Sequence, residues 1–138
     1  MIVTFMVPGN PVGKGRAKFA RRGQFVTTYT PEKTATYENL VKILAQEAMI
    51  DREPIQGPVT LMLNLYVTPP ASWSKKKQMA ALSGEIRPTT KPDFSNVLKA
   101  VEDGMNGVVY LDDKQIVSIS GSKRYAETPG AMVEVRTL

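Results

Sequence analysis

The chain has 138 residues, 42% of them hydrophobic and 22% charged, which is ordinary for one domain that buries its own core. It contains neither cysteine nor histidine, which excludes disulfides, zinc-finger ligand sets, cysteine or serine–histidine nucleophiles and histidine-dependent nuclease sites. Acid, base and metal chemistry is left to carboxylates and lysine. Eighteen Lys and Arg against thirteen Asp and Glu give a net charge of +5, which is consistent with a polyanionic partner.

The hydropathy pattern predicts a protein without a membrane partner. No apolar run approaches the roughly 20 residues that a membrane span needs. The opening residues MIVTFMVPG are too short, and lack the basic flank, for a signal peptide. We therefore expect a single domain, residues 1–138, that stays in the cytoplasm.

The first predicted element is a strand over residues 2–7, because Val3, Phe5 and Val7 alternate onto one side. A Gly- and Arg-rich loop follows, from Pro8 to Thr30. The helix after it has Thr30 as a hydroxyl N-cap and proline at its first position, and it should run to about Met49.

The loop after the first strand carries five positive charges and no acid. They are Lys14, Arg16, Lys18, Arg21 and Arg22, with three aromatic residues interleaved. One interpretation is a solvated surface loop. The other is a DNA contact, in which the cations hold phosphates and the aromatic rings stack on bases. We favour the second, because surface loops normally mix charges of both signs.

The later part of the chain completes an α+β pattern. A strand over residues 59–67 alternates most clearly, and Ser72 or Ser74 can cap a short helix after it. A further helix follows Asp93. Two strands, from Val117 to Tyr125 and over residues 132–136, are interpreted as a terminal hairpin. The order β-α-β-α-α-β-β predicts an α+β domain with helices packed on one mixed sheet.

The stretch from Lys91 to Ile116 limits function most. Its helix has Asp93 or Ser95 as N-cap and an apolar face toward the core. Its polar face carries Asn96, Lys99 and Asp103. The simplest interpretation of that face is an exposed Lys99–Asp103 pair.

A pair of aspartates, Asp112 and Asp113, follows that helix. Adjacent residues of an extended strand point to opposite faces, so only one of the two can share a site with Asp93. Strand geometry alone leaves open which one does.

Two segments carry a resemblance to a known family. PDFSNVLKAVEDGMNGVVYLDDKQI resembles the signature of the RusA family of Holliday junction resolvases, which runs Pro-Asp-x-Asp-Asn, a lysine three residues on, and Asp-Asp-x-Gln. GNPVGKGRAKF and TYTPEKTATYE resemble N-terminal segments of phage-type members. The resemblance implies a RusA-like fold and a homodimeric endonuclease of a bacterial host or prophage. Such an enzyme uses Mg²⁺, with Mn²⁺ as the alternative, and cuts four-way DNA junctions by paired nicks.

Carried over to this sequence, the resemblance implies metal binding by Asp93 and Asp113 and a catalytic role for Lys99. Asn96 matches the family's asparagine beside the first acidic pair. Asp103 and Asp112 match further acidic positions, expected to support the site.

Ser95 is the one departure, because it stands where the family has a second aspartate. In an extended segment Ser95 would point the same way as Asp93, so we expect its hydroxyl to remain a candidate metal ligand. Mg²⁺ often binds only one or two carboxylates, with water and phosphate completing its shell. The alternative is a branched-DNA-binding protein whose cleavage is weakened by this serine. A general phosphodiesterase for small substrates fits the long basic loop poorly.

Overall fold

The computed structural model describes the backbone of residues 1–15, 18–22, 25–29 and 32–138, and the side chains of residues 1–15 and 32–138. In chain order the elements are β1 (Ile2–Pro8), β2 (Lys18–Arg22), β3 (Phe25–Tyr29), α1 (Glu32–Ala48), β4 (Val59–Val67), α2 (Lys75–Leu82), α3 (Phe94–Met105), a 3₁₀ turn (Asp113–Gln115), β5 (Ile116–Tyr125) and β6 (Gly130–Thr137). The predicted α+β class and the order of the main-sheet elements are confirmed. Across the described ranges, no helix has the length and apolarity needed to cross a membrane.

The main sheet has the strand order β1-β6-β4-β5. β4 pairs in parallel with β5 and antiparallel with β6. The predicted terminal hairpin is therefore wrong, because β4 lies between the last two strands. Burial explains the arrangement: β6 has Ala131, Val133 and Val135 fully buried, as an inner strand requires, whereas β5 is mostly exposed and occupies the edge.

The core lies between the sheet and the helices α1 and α3. The alternation predicted for β4 is confirmed, since Leu61, Leu63 and Leu65 are at most 1% exposed. α1 and α3 pack against each other very closely at Gly104, where a Cβ atom would fall 2.7 Å from Cγ1 of Val41. This close approach brings the polar rims of the two helices within reach of a single side chain.

A two-stranded antiparallel hairpin, β2–β3, occupies part of the segment predicted as a loop. The run FVTTY of β3 is rich in β-branched and aromatic residues, whose strand propensity is high, but the charge density of the segment favoured a loop prediction. Arg16 lies outside the described residues, as do the side chains of Lys18, Arg21 and Arg22 on β2. Their DNA contacts stay predictions.

The structure decides between the alternative helix caps. Oδ1 of Asp93 accepts a hydrogen bond from the main-chain N–H of Asn96 at 3.1 Å, so Asp93 caps α3. Ser74 caps α2 in the same way. α1 begins at Glu32, and its predicted cap, Thr30, lies outside the described residues.

Two contacts fix the start of α3 on the sheet. Phe94 lies against Gly121 of β5, where a Cβ atom would overlap the carbonyl oxygen of Leu63 and fall 3.0 Å from the Phe94 ring. The ammonium of Lys123 donates to the carbonyl oxygens of Thr90 and Pro92 at 2.8 and 2.9 Å. The main chain that presents Asp93 is therefore held from β5 on both sides of that residue.

Candidate active site

Lys99 and Asp113 meet although they lie 14 residues apart. The Lys99 ammonium is 3.3 Å from Oδ2 of Asp113 and 3.1 Å from Oδ1 of Asp103. Asp112 instead faces Lys114, at 4.0 Å. Of the two adjacent aspartates, Asp113 is thus the one directed toward α3.

The geometric reason for this direction differs from the predicted one. Asp112 is extended, but Asp113 begins a 3₁₀ turn, so strand alternation does not govern the pair. The turn is fixed by Gln115, whose Oε1 accepts from the main-chain N–H groups of Leu111 and Asp112 at 2.8 and 2.9 Å. Its Nε2 donates to the carbonyl oxygens of Ile55 and Gly57 at 2.8 and 2.9 Å. One side chain therefore ties the Asp113 turn to the segment that leads into β4.

Asp103 lies between two lysines. Its Oδ2 is 2.7 Å from the ammonium of Lys14, and Lys14 also binds Oε1 of Glu38 at 2.6 Å. Burial acts to raise the pKa of Asp103, but the hydrogen bonds from Lys14 and Lys99 outweigh it and hold that pKa below its usual value. Lys14 was predicted as a DNA contact from a loop without acids, and the structure gives it two carboxylate partners from α1 and α3.

Asp93, Ser95 and Asn96 are exposed at the start of α3. Asp93 and Asn96 line an open groove of about 630 Å³, together with Lys14, Lys33 and Lys91. Ser95 was expected to point the same way as Asp93 in an extended segment. That reason is wrong, because the extended segment ends at Asp93 and Ser95 is already the second residue of α3. The only remaining support for Ser95 as a metal ligand is that its hydroxyl oxygen can coordinate an ion.

Glu102 joins the acidic group around Lys99. Burial, reinforced by the negative charge of Asp113, raises the pKa of the Glu102 carboxyl. Its main-chain oxygen accepts from the hydroxyl of Tyr110 at 2.9 Å, and Tyr110 is fully buried. The C-terminal half of α3 and the Asp113 turn thus form one negatively charged surface with Lys99 at its centre.

Comparisons with known proteins place the chain in a family. A family model described as endodeoxyribonuclease RusA matches residues 8–136. A protein of Bacillus subtilis (strain 168), named uncharacterized protein YqaN, is 37% identical over 136 residues, covering 97% of this chain and 95% of the relative.

The chain belongs to the RusA endodeoxyribonuclease family. Membership of this family implies a metal-dependent nuclease that binds branched DNA. In this member, the matched region includes every residue predicted for the site, from Lys14 to Asp113.

The side chains of this RusA-family site suit Mg²⁺ in chemical kind. Asp93 and Asp113 offer carboxylate oxygens, the ligands that this ion prefers. Among the side chains that the structure describes, no three acids converge on one point. Asp93 and Lys99 are six residues apart, roughly 9 Å along the helix axis. Such a site depends on water and substrate oxygens to complete the coordination shell.

Two residues that position this RusA-family site were not singled out from the sequence. Gln115 belongs to the Asp-Asp-x-Gln motif, but two of its four partners lie 58 and 60 residues away, so the motif did not indicate that it ties the turn to another segment. Glu38 appears in the sequence as an ordinary polar residue of α1. Its contact with Lys14 depends on the close packing of α1 against α3.

Proposed function

We propose that this protein is a Mg²⁺-dependent endonuclease that resolves Holliday junctions by paired nicks, with Mn²⁺ as the alternative cofactor. The observation that carries the proposal is the meeting of Lys99 with Asp113, which joins the two halves of the RusA signature in one site. Membership of the family supports the reaction class.

Asp93 and Asp113 would hold the metal, with the Ser95 hydroxyl as a neutral third candidate. When bound, the metal would polarise the scissile phosphate and lower the pKa of the attacking water. Lys99 would stabilise negative charge on the phosphoryl oxygens or on the leaving 3′ oxygen. Its hydrogen bond to Asp103, opposed by partial burial, raises its pKa above the usual value, which keeps the ammonium charged. Asn96 and Asp112 are assigned supporting roles.

The basic residues of the segment before α1 would hold the DNA backbone. Arg16, Lys18, Arg21 and Arg22 are the proposed phosphate contacts there, and Lys33 and Lys91 extend the positive charge along the groove beside Asp93. Such binding weakens steeply as the salt concentration rises. A four-way junction presents two strands to cut, so we also propose a homodimer with two sites related by a twofold axis.

The test is cleavage of a synthetic four-way junction beside a linear duplex, in Mg²⁺ and in Mn²⁺. The variants are Asp113→Asn and Ser95→Asp. Asp51→Asn, an exposed residue after α1, serves as the matched control. We expect paired nicks in the junction alone, lost in Asp113→Asn and kept in Asp51→Asn. Ser95→Asp should increase the rate, because it restores a charged oxygen ligand.

Two results would redirect the proposal. Tight junction binding without cutting, with cleavage gained in Ser95→Asp, would favour the branched-DNA-binding protein. Cleavage that survives in Asp113→Asn would refute the site assignment.

A further inference from the structure

Lys14 is partly buried between α1 and α3, beside the groove that it helps to line. Its ammonium lies between Glu38 of α1 and Asp103 of α3, at 2.6 and 2.7 Å, and its side chain is 29% exposed. Two carboxylates neutralise the charge of this ammonium, so it would attract a phosphate only weakly. Its charge is therefore already used within the protein.

The main chain around Lys14 is held as firmly as its side chain. The N–H of Lys14 donates to the carbonyl oxygen of Asn96 at 2.9 Å. The next N–H, of Gly15, donates to the hydroxyl of Thr34 at 2.9 Å, and Thr34 is 2% exposed. The main chain that carries the Lys14 side chain is thus hydrogen-bonded to both α1 and α3.

Four charges of alternating sign connect this lysine to the proposed catalytic group: Lys14, Asp103, Lys99 and Asp113. Lys99 is shared between two carboxylates at similar distances, 3.1 Å to Asp103 and 3.3 Å to Asp113. How strongly Asp103 attracts Lys99 depends on how much of its charge another cation neutralises. Without Lys14, the full charge of Asp103 would draw Lys99 away from Asp113.

We propose that Lys14 and Asp103 are positioning residues for Lys99. Asp103 binds the Lys99 ammonium, and Lys14 weakens that ion pair by neutralising part of the Asp103 charge, so that Lys99 stays beside Asp113. This inference rests on the proposed nuclease function. It replaces the assignment of Lys14 as a DNA contact.

The experiment separates positioning from DNA contact by two measurements on the full chain. One is the single-turnover cleavage rate with saturating junction. The other is the junction Kd without divalent metal at several salt concentrations. The variants are Lys14→Met and Lys14→Arg, with Lys91→Met as the comparison for a phosphate contact. Circular dichroism and thermal unfolding show that each variant is folded.

We expect Lys14→Met to lower the cleavage rate about tenfold to hundredfold, the range that misplacement of a catalytic group produces. Its Kd and salt slope should match the wild type. Lys14→Arg should recover part of the rate, because it keeps the charge. Lys91→Met should weaken binding and reduce the salt slope by about 1. If Lys14→Met behaves like Lys91→Met and keeps its cleavage rate, Lys14 is a DNA contact and the inference is overturned.

A double-mutant cycle tests the connection through Asp103. Lys14→Met and Asp103→Asn should be non-additive in cleavage rate, because both act on the same lysine. Additive losses would overturn the inference. Glu38→Gln should cost less than Asp103→Asn, since Glu38 contacts Lys14 and not Lys99.

Failure of the proposed function gives a different result from failure of this inference. A wild type that never cuts refutes the nuclease assignment. The junction Kd of Lys14→Met still tests where the Lys14 charge is used: an unchanged Kd and salt slope support an internal lysine, and a weakened Kd refutes it.

Discussion

Phe94, the first residue of α3, lies against Gly121 of the edge strand β5, where any side chain would meet its ring. Because Asp93 directly precedes Phe94, this contact sets where the proposed metal ligand lies relative to the sheet. It is also the place where α3 is seated on β5.

We predict that Gly121→Ala lowers the free energy of unfolding by about 3 kcal/mol, the upper range for overpacking. The added methyl group would overlap the carbonyl of Leu63 and press on Phe94, so either β5 or the start of α3 must shift. Urea denaturation measures the loss, and junction cleavage should fall with it. Ser120→Ala, at an exposed neighbouring position, should leave both unchanged. A Gly121→Ala variant as stable as the wild type would show that the contact is not tight.

Gln115 offers a second prediction, because its amide makes four hydrogen bonds to main-chain groups around the Asp113 turn. Gln115→Met keeps the length of the side chain and removes all four. We expect a loss of about 2 kcal/mol in unfolding free energy and a cleavage rate at least tenfold lower at saturating junction.

The matched control is Gln78→Met, where one hydrogen bond, from Nε2 to the carbonyl of Trp73, is lost far from the turn. That variant should cut normally. Equal cleavage by the two glutamine variants would show that the turn keeps its shape without Gln115.

For Lys99 we predict that its removal affects DNA cleavage and cation binding differently. Lys99→Met should abolish junction cleavage while Mn²⁺ binding, measured by calorimetry, is kept or strengthened, because a positive charge next to Asp113 opposes a cation there. Lys76→Met removes an exposed lysine of α2 and should change neither quantity. Loss of Mn²⁺ binding in Lys99→Met would mean that Lys99 maintains the structure of the site.

Two buried tyrosines make the stability of the folded chain depend on pH in alkaline solution. Burial raises the pKa of Tyr37 to about 12, whereas tyrosine in an unfolded chain titrates near 10. Between these values the folded chain keeps a proton that the unfolded chain has lost, so stability falls as pH rises from 10 to 12. Burial also raises the pKa of Tyr110.

We predict that Tyr37→Phe reduces this alkaline loss and is at least as stable as the wild type at pH 7. Among the described residues, the buried Tyr37 hydroxyl has no hydrogen-bond partner. Tyr110→Phe, the matched variant, loses a 2.9 Å hydrogen bond to Glu102 and should be destabilised by about 1 kcal/mol. Urea denaturation at pH 7, 10 and 11 gives both results, and the reverse ranking at pH 7 would contradict the prediction.

Local patterns in the sequence predicted most of the fold. β4 has the predicted bounds of Val59 and Val67, and Asp93 is one of the two N-caps predicted for α3. The pairing of β5 could not be predicted in the same way. Neighbouring strands in a sequence often form a hairpin, which is why β5 and β6 were predicted to pair. Whether β4 lies between them instead depends on which strands must be buried within the sheet.

The site was predictable as a set of residues and less so as a set of contacts. Lys99 and Asp113 followed from the family signature, and the structure brings them together. The partners of Lys14 did not, because Glu38 and Asp103 come from two helices whose spacing is set by Gly104. Charge in a loop sequence does not show which acids the fold places beside it.

The position of β5 at the sheet edge has a consequence for the timing of catalysis. Among the strands that the structure describes, β5 pairs with β4 alone, and the Asp113 turn runs directly into its first residue, Ile116. Edge strands open more readily than inner ones, by local fluctuations that leave the rest of the domain folded. Each opening would carry Asp113 away from Lys99, so the fraction of molecules in which the two residues are in contact would follow the local opening of β5, which hydrogen exchange measures, rather than global stability.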